Sequence, residues 1–167
     1  GSHFVSFDQL GVFVASEMLQ HSQVALIEIF GGEGGCSKLA VKFRLQAGGN
    51  FDIITGCDLL QSNESEKLVR FIFKTEPLVI LMGPPCTAFA SLSKINEKLH
   101  PDSFNSSRRT GEILAILTCR IAIIQLRAAR YFLIENPAKS GIFDLDCFRE
   151  LWASGCVGRI EFPQCSC

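Results

Sequence analysis

A cysteine and a glutamate sit at matching places in two apolar runs. In Leu81-Met82-Gly83-Pro84-Pro85-Cys86-Thr87-Ala88-Phe89 a hydrophobic stretch stops on two prolines and presents Cys86, and in Phe132-Leu133-Ile134-Glu135-Asn136-Pro137 another stops on Glu135. Proline fixes φ and cannot continue a ladder, so each piece reads as a buried strand whose carboxyl end delivers a reactive side chain into a rigid turn. A thiol and a carboxylate at the same edge of one sheet suit covalent attack on a heterocycle. The Pro-Pro-Cys turn holds its nucleophile with little freedom, which lowers the entropic cost of attack. An ordinary thiol, with a pKa near 8.5, is only a few per cent thiolate at neutral pH, so this role needs activation by nearby donors or a helix N-terminus. The competing reading of Cys86 is a small buried hydrophobe. Glu135, after an apolar run, is expected to be partly desolvated and so able to hold a proton; its competing reading is a surface carboxylate capping a loop.

A third segment brings a possible cradle. The β-branched, apolar residues 24–30 end in Gly31-Gly32-Glu33-Gly34-Gly35 and lead into a helix-compatible stretch over 36–45. Glycines there allow positive φ and close approach of backbone N–H groups to a ligand at the mouth of a helix. The same signature also serves merely to pack a helix on a sheet. Glu28 and Glu33 would repel a pyrophosphate and attract a sulfonium or an ammonium group, which favours adenosylmethionine over NAD or ATP. An acid after the second strand would accept hydrogen bonds from a ribose. Asp52, 18 residues beyond Gly34, and Asp58, six further on, are both candidates, and either could instead be a turn aspartate.

Around these residues the pattern alternates. Strands are expected at 24–30, 51–55, 78–82 and 131–134, with a last one at 158–162. Helices are expected at 8–20, 36–45, 63–75, 112–130 and 144–153, the helix at 63–75 capped by Ser62 or Asn63 and ended by Pro77. Residues 91–111 read as a polar loop. Alternation of this kind predicts an α/β fold, a Rossmann-like, mostly parallel sheet with helices on both faces and ligands outside the carboxyl ends of its strands.

Bulk properties narrow the function. With 167 residues, 47% of them apolar, the chain is about one domain long and can bury a real core. A formal charge of −1 argues against a strongly basic nucleic-acid binder. Eight cysteines without a signal peptide fit a reducing setting, so the protein is expected inside the cell, in nucleus or cytoplasm. Its apolar runs are too short or too interrupted to span a bilayer. Residues 1–3 read as a cloning scar, leaving 4–167 as a single domain. Cys147, Cys156, Cys165 and Cys167 lack the paired spacing of a zinc site, so no metal is expected. His21 and His100 have no companions that suggest a dyad.

Taken together, Glu28-Ile29-Phe30-Gly31-Gly32-Glu33-Gly34-Gly35, Gly83-Pro84-Pro85-Cys86-Thr87-Ala88-Phe89-Ala90 and Phe132-Leu133-Ile134-Glu135-Asn136-Pro137 resemble the ordered motifs of the cytosine-5 DNA methyltransferase family. The resemblance spans most of the chain and implies a class I, adenosylmethionine-dependent methyltransferase fold. It implies Cys86 as the nucleophile on carbon 6 of the base and Glu135 as the acid that contacts ring nitrogen 3. Glu28, Phe30, Gly31, Gly32 and Gly34, with Asp52 or Asp58, Gly83 and Pro84, would then hold the cofactor. The loop after the cysteine closes over an extruded base in that family, which points Lys94, Arg108 and Arg109 toward the phosphates of DNA or RNA; a solvated polar loop is the other reading. The chain has Thr87 where the family has glutamine and Pro137 where it has valine. The family's later arginine motif and target recognition region have no counterpart before Cys167, so the domain is expected to be incomplete at its C-terminus, with target choice left to a missing region or a protein partner. A non-catalytic module of the same fold, binding cofactor or a partner, is the alternative.

Overall fold

A computed structural model describes residues 24–90 and 93–161, with Lys94 described by its backbone alone. The expected helix at 8–20 and the residues 1–3 lie outside the described residues, as do Cys165 and Cys167.

Four strands form one all-parallel sheet in the order β2-β1-β3-β4, with β1 at Leu26–Ile29, β2 at Ala47–Phe51, β3 at Val79–Met82 and β4 at Tyr131–Ile134. β1 and β3 are the central pair, and Ile27, Ile29, Ile80 and Met82 are buried. Strands covered on both faces are expected to be continuously apolar; β3 is so, and β1 is interrupted only by the buried Glu28. Between the strands run α1 (Gly35–Lys42), α2 (Ser62–Thr75), and the pair α3 (Ser93–Leu99) and α4 (Pro101–Arg127). A final α5 (Asp146–Ala153) follows β4. The step from β1 to β2 runs one way across the sheet and the step to β3 runs back past β1. Right-handed crossovers, the rule for such connections, put α1 on one face and α2 and α4 on the other.

Four sequence expectations are corrected. The second strand is not at 51–55 but ends at Phe51, because Asp52 accepts from the Ile54 N–H at 2.9 Å and starts a 3-10 turn over Ile53–Thr55. A side chain that bonds its own backbone competes with the ladder. The strand instead runs through Gly48, where a Cβ would come within 2.7 Å of the Ile27 and Val24 side chains, so β2 lies this close to β1 only with a glycine there.

Residues 93–111, the described part of the expected polar loop at 91–111, are helical for most of their length. Ser93–Leu99 and the first turns of Pro101–Arg127 are helical, with Pro101 at the position where its missing N–H costs nothing. Gly111, the last residue of that expected loop, lies inside α4, where a Cβ would stand 2.8 Å from the Phe89 ring. Its small size lets α4 press on the segment that follows Cys86. The expected strand at 158–162 is absent over 158–161, the part of it that is described.

The helix at 62–75 begins one residue before the expected start, with Gln61 at its cap rather than Ser62 or Asn63. It buries Leu68, Val69 and Ile72 and ends before Pro77.

Candidate active site

The four strands end in register. Ile29 pairs with Phe51 and Met82, and Met82 pairs with Ile134. The ladder continues one residue further: the Phe30 N–H donates to the Phe51 carbonyl at 3.0 Å, Gly83 N–H to Ile29 at 3.0 Å, and Glu135 N–H to Met82 at 2.9 Å. The turns that carry Gly31 to Gly35, Cys86 and Glu135 therefore leave the sheet from one rim. β1 and β3 are also where the strand order reverses, the crevice in which open α/β sheets bind ligands.

The glycine turn is held from within. Phe30, Gly32 and Gly34 have positive φ of 58°, 55° and 71°. Asp52 accepts from the Gly32 N–H at 3.0 Å, and the Asn50 amide donates to the Gly32 carbonyl at 2.7 Å. Glu28, only 6% exposed, turns its carboxylate onto the start of α1, accepting from the N–H groups of Ser37 at 2.6 Å and Cys36 at 3.3 Å. Negative charge at a helix start is stabilised by the unpaired amides there. Gly31 makes room for this: a Cβ there would lie 2.8 Å from both the Glu28 carboxyl and Asn50 Oδ1. Gly32 and Gly35 are different, with nothing within 4 Å of a Cβ, so their outer faces are open. The buried Asn50 Oδ1 has no hydrogen-bond partner.

Cys86 is partly exposed and precedes a 3-10 turn over Thr87–Phe89, its carbonyl accepting from the Phe89 N–H at 2.8 Å. Three contacts fix that turn. Ser93 Oγ donates to the Ala90 carbonyl at 2.6 Å, the Arg108 guanidinium lies 4.6 Å over the buried Phe89 ring, and the Asn136 amide donates to the Pro84 carbonyl at 2.7 Å. Asn136 thus ties the turn after β4 to the turn after β3. Three thiols elsewhere have raised pKa values. Burial pushes the pKa of Cys36 up, helped by the Glu28 charge, and burial with Glu64 and Asp58 does the same for Cys57. Burial, then a hydrogen bond to Cys147, drives Cys119 far up.

Several candidates stand differently from their sequence reading. Glu135 is exposed, so the desolvation expected of it is missing; its place at the end of a four-residue edge strand leaves one side open. Asp58 accepts from the Leu60 N–H at 3.1 Å and the Gln61 amide at 3.2 Å, the turn role that was its alternative, whereas Asp52 contacts the glycine turn itself. Arg108 is stacked on Phe89 and paired to Glu112 at 2.8 Å, which makes it a clamp on the cysteine turn. Arg109 is exposed and makes no ion pair among the described residues. Lys94 lies in the first turn of α3.

Sequence reasoning passed over Asn50 and the bridging role of Asn136. Their only signal was position, next to a glycine pair and next to Glu135. It also passed over a cleft of about 560 Å³ along the outer edge of β4, which Glu135 and Asn136 share with apolar Leu133, Phe143, Trp152 and Ile160. Among the described residues no helix is long and apolar enough to cross a membrane, and no three His, Cys, Asp or Glu residues group as a metal site.

Comparison with known proteins returns no matching family profile, no matching curated protein and no matching solved structure.

Proposed function

We propose that this chain is an adenosylmethionine-dependent nucleic-acid methyltransferase domain of the cytosine-5 type, in which Cys86 attacks the base. One observation carries the reading: the glycine turn, the Pro-Pro-Cys turn and the Glu-Asn-Pro turn leave one rim, joined by the Gly83–Ile29 and Asn136–Pro84 hydrogen bonds. The residues present fit the cofactor. A buried acid, an unpartnered buried amide oxygen and two glycines with open faces suit a ligand with a cationic end and disfavour a pyrophosphate. Glu28, Phe30, Gly31, Gly32, Gly34 and Asp52 would hold it, with Gly83 and Pro84 on the facing turn; Asp58 stands further off in the chain as a second acid.

When bound, adenosylmethionine supplies the electrophilic methyl group. The chain does the rest. Cys86 sulfur bonds to carbon 6 of a cytosine while Glu135 hydrogen-bonds ring nitrogen 3, and the displaced electron pair makes carbon 5 nucleophilic. After carbon 5 gains the methyl group, loss of its proton to a base restores the double bond and expels the sulfur. An extruded base in DNA or RNA is the substrate, since the reaction needs both ring faces. Arg109 and Lys94 are assigned to its phosphates. Choice of target falls to a protein partner or a further region of polypeptide, and the place of action is the nucleus or cytoplasm.

The exposure of Glu135 favours a second reading, a module that keeps the fold and the cofactor pocket without catalysis. Calorimetric titration with adenosylmethionine tests what the two share. Stoichiometric binding that weakens at least tenfold in Asp52→Ala supports the pocket, and no binding at millimolar ligand removes both readings.

A further inference from the structure

Beside the cysteine turn lies a second, smaller pocket that the reaction above does not use. It has a volume of about 240 Å³ and sits where α3 and the start of α4 meet Thr87. It is lined by Phe104 together with Thr87, Ser103, Ser107, Asn96 and His100. Ser103, Phe104 and Ser107 follow one another at helical spacing and share one face of α4, and His100 is its N-cap residue. None of these five polar side chains makes a hydrogen bond to the protein among the described residues.

That chemistry is selective. Among the described residues the lining holds no Asp, Glu, Lys or Arg. An amide and an imidazole present donors and acceptors side by side, the combination that matches the edge of a heterocyclic base. An aromatic ring in the lining gives a face on which a base can stack. Thr87 adjoins Cys86, so whatever enters lies one residue along the chain from the thiol.

We infer that this pocket receives an unpaired nucleobase neighbouring the base that meets Cys86, stacked on Phe104 and hydrogen-bonded by Asn96 and His100. The inference rests on the nucleic-acid reading above but needs neither the methyl donor nor the thiol. It makes the substrate single-stranded over at least two nucleotides, and it gives α3 and α4 a task that a mobile polar loop could not perform.

The test is fluorescence anisotropy with a labelled single-stranded dodecamer and a set in which each base in turn is replaced by an abasic residue. Wild-type protein is expected to lose about fivefold or more in affinity when one base is removed, the usual scale of aromatic stacking. Phe104→Ala should bind the intact strand that much more weakly and no longer respond to that abasic residue. Asn96→Ala, a surface change that leaves the helix intact, should lose part of the same response, and Cys86→Ser should keep it all. A flat abasic profile in the wild type overturns the inference, as does affinity that follows salt alone and is equal in Phe104→Ala. The two proposals fail separately. Phe104-dependent binding without any covalent adduct leaves the pocket and removes the methyltransferase reading, whereas an adduct at Cys86 with a flat profile does the reverse.

Discussion

The two ends of the rim are built to different standards. At β1 the glycine turn is closed by four side-chain contacts from Glu28, Asn50 and Asp52, with Glu28 buried and Gly31 leaving no room for a methyl group. At β4, Glu135 is exposed, Leu133 is 53% exposed, and a broad apolar cleft runs along the open edge of the strand. Preorganised polar groups cost little to bring into a binding geometry. The contrast teaches that the donor half of the proposed site is already tied down by hydrogen bonds in the described chain, while the acceptor half is open to solvent at Glu135.

The contrast can be broken most forcefully at Gly31. Gly31→Val forces a branched side chain into the space of Glu28 and Asn50, and overpacking of this kind costs about 1–3 kcal/mol. Denaturation should show that loss, with adenosylmethionine binding abolished. Glu28→Ala is next. It leaves two α1 amides without their carboxylate, and a buried unsatisfied group costs about 1–3 kcal/mol; Glu28→Gln, which keeps an acceptor, should recover part of it.

Asn136→Ala removes the bridge between the two halves. We expect about 1 kcal/mol in stability, the ordinary worth of one hydrogen bond, but a larger drop in the rate of any reaction at Cys86, because the turn loses its register. If only stability changes, the bridge has no role in positioning.

A pH series tests the packing of α4 on α5, where Cys119 of α4 hydrogen-bonds Cys147 near the start of α5. Cys119 has a raised pKa in the folded state, so the folded chain holds its proton more tightly than the unfolded chain does. Its stabilising effect is complete below the ordinary thiol value of 9.0 and is lost progressively as pH rises above it. The urea midpoint should fall between pH 9 and pH 10.5, a window set from about the thiol value upward, and fall less steeply in Cys119→Ala. The smallest effect belongs to Glu135→Gln. An exposed side chain of this kind changes stability by less than about 0.5 kcal/mol, so any loss in reaction rate would report chemistry alone.

Which parts of this could be read from residues follows the physics of each part. β1, β3 and β4 were legible because strands of a parallel sheet are largely apolar runs, broken here only by Glu28, and the order of their turns placed Cys86 and Glu135 on one edge. β2 was shifted because Gly48 and Gly49 have poor strand propensity, and what puts them in the sheet is close packing on Ile27 and Val24. The helices over 93–111 were missed because Ser, Asn and Gly suggest loop, whereas Pro101 starts a helix and Gly111 fits Phe89. Glu28 was read as a ligand for charge and proves to be the anchor of α1 as well, a long-range fact that no local pattern carries. Exposure of Glu135 depends on what borders β4, which lies beyond any reading of its own hexapeptide.

The central claim is that the thiol of Cys86 faces a base while the glycine turn holds the methyl donor. It is tested most directly by incubating the protein with adenosylmethionine and a 5-fluorocytosine oligonucleotide, then mapping any covalent product by mass spectrometry. The account predicts one adduct, on Cys86, that requires the cofactor and vanishes in Cys86→Ser. No adduct under conditions where cofactor binds, or an adduct that persists in Cys86→Ser, would contradict it.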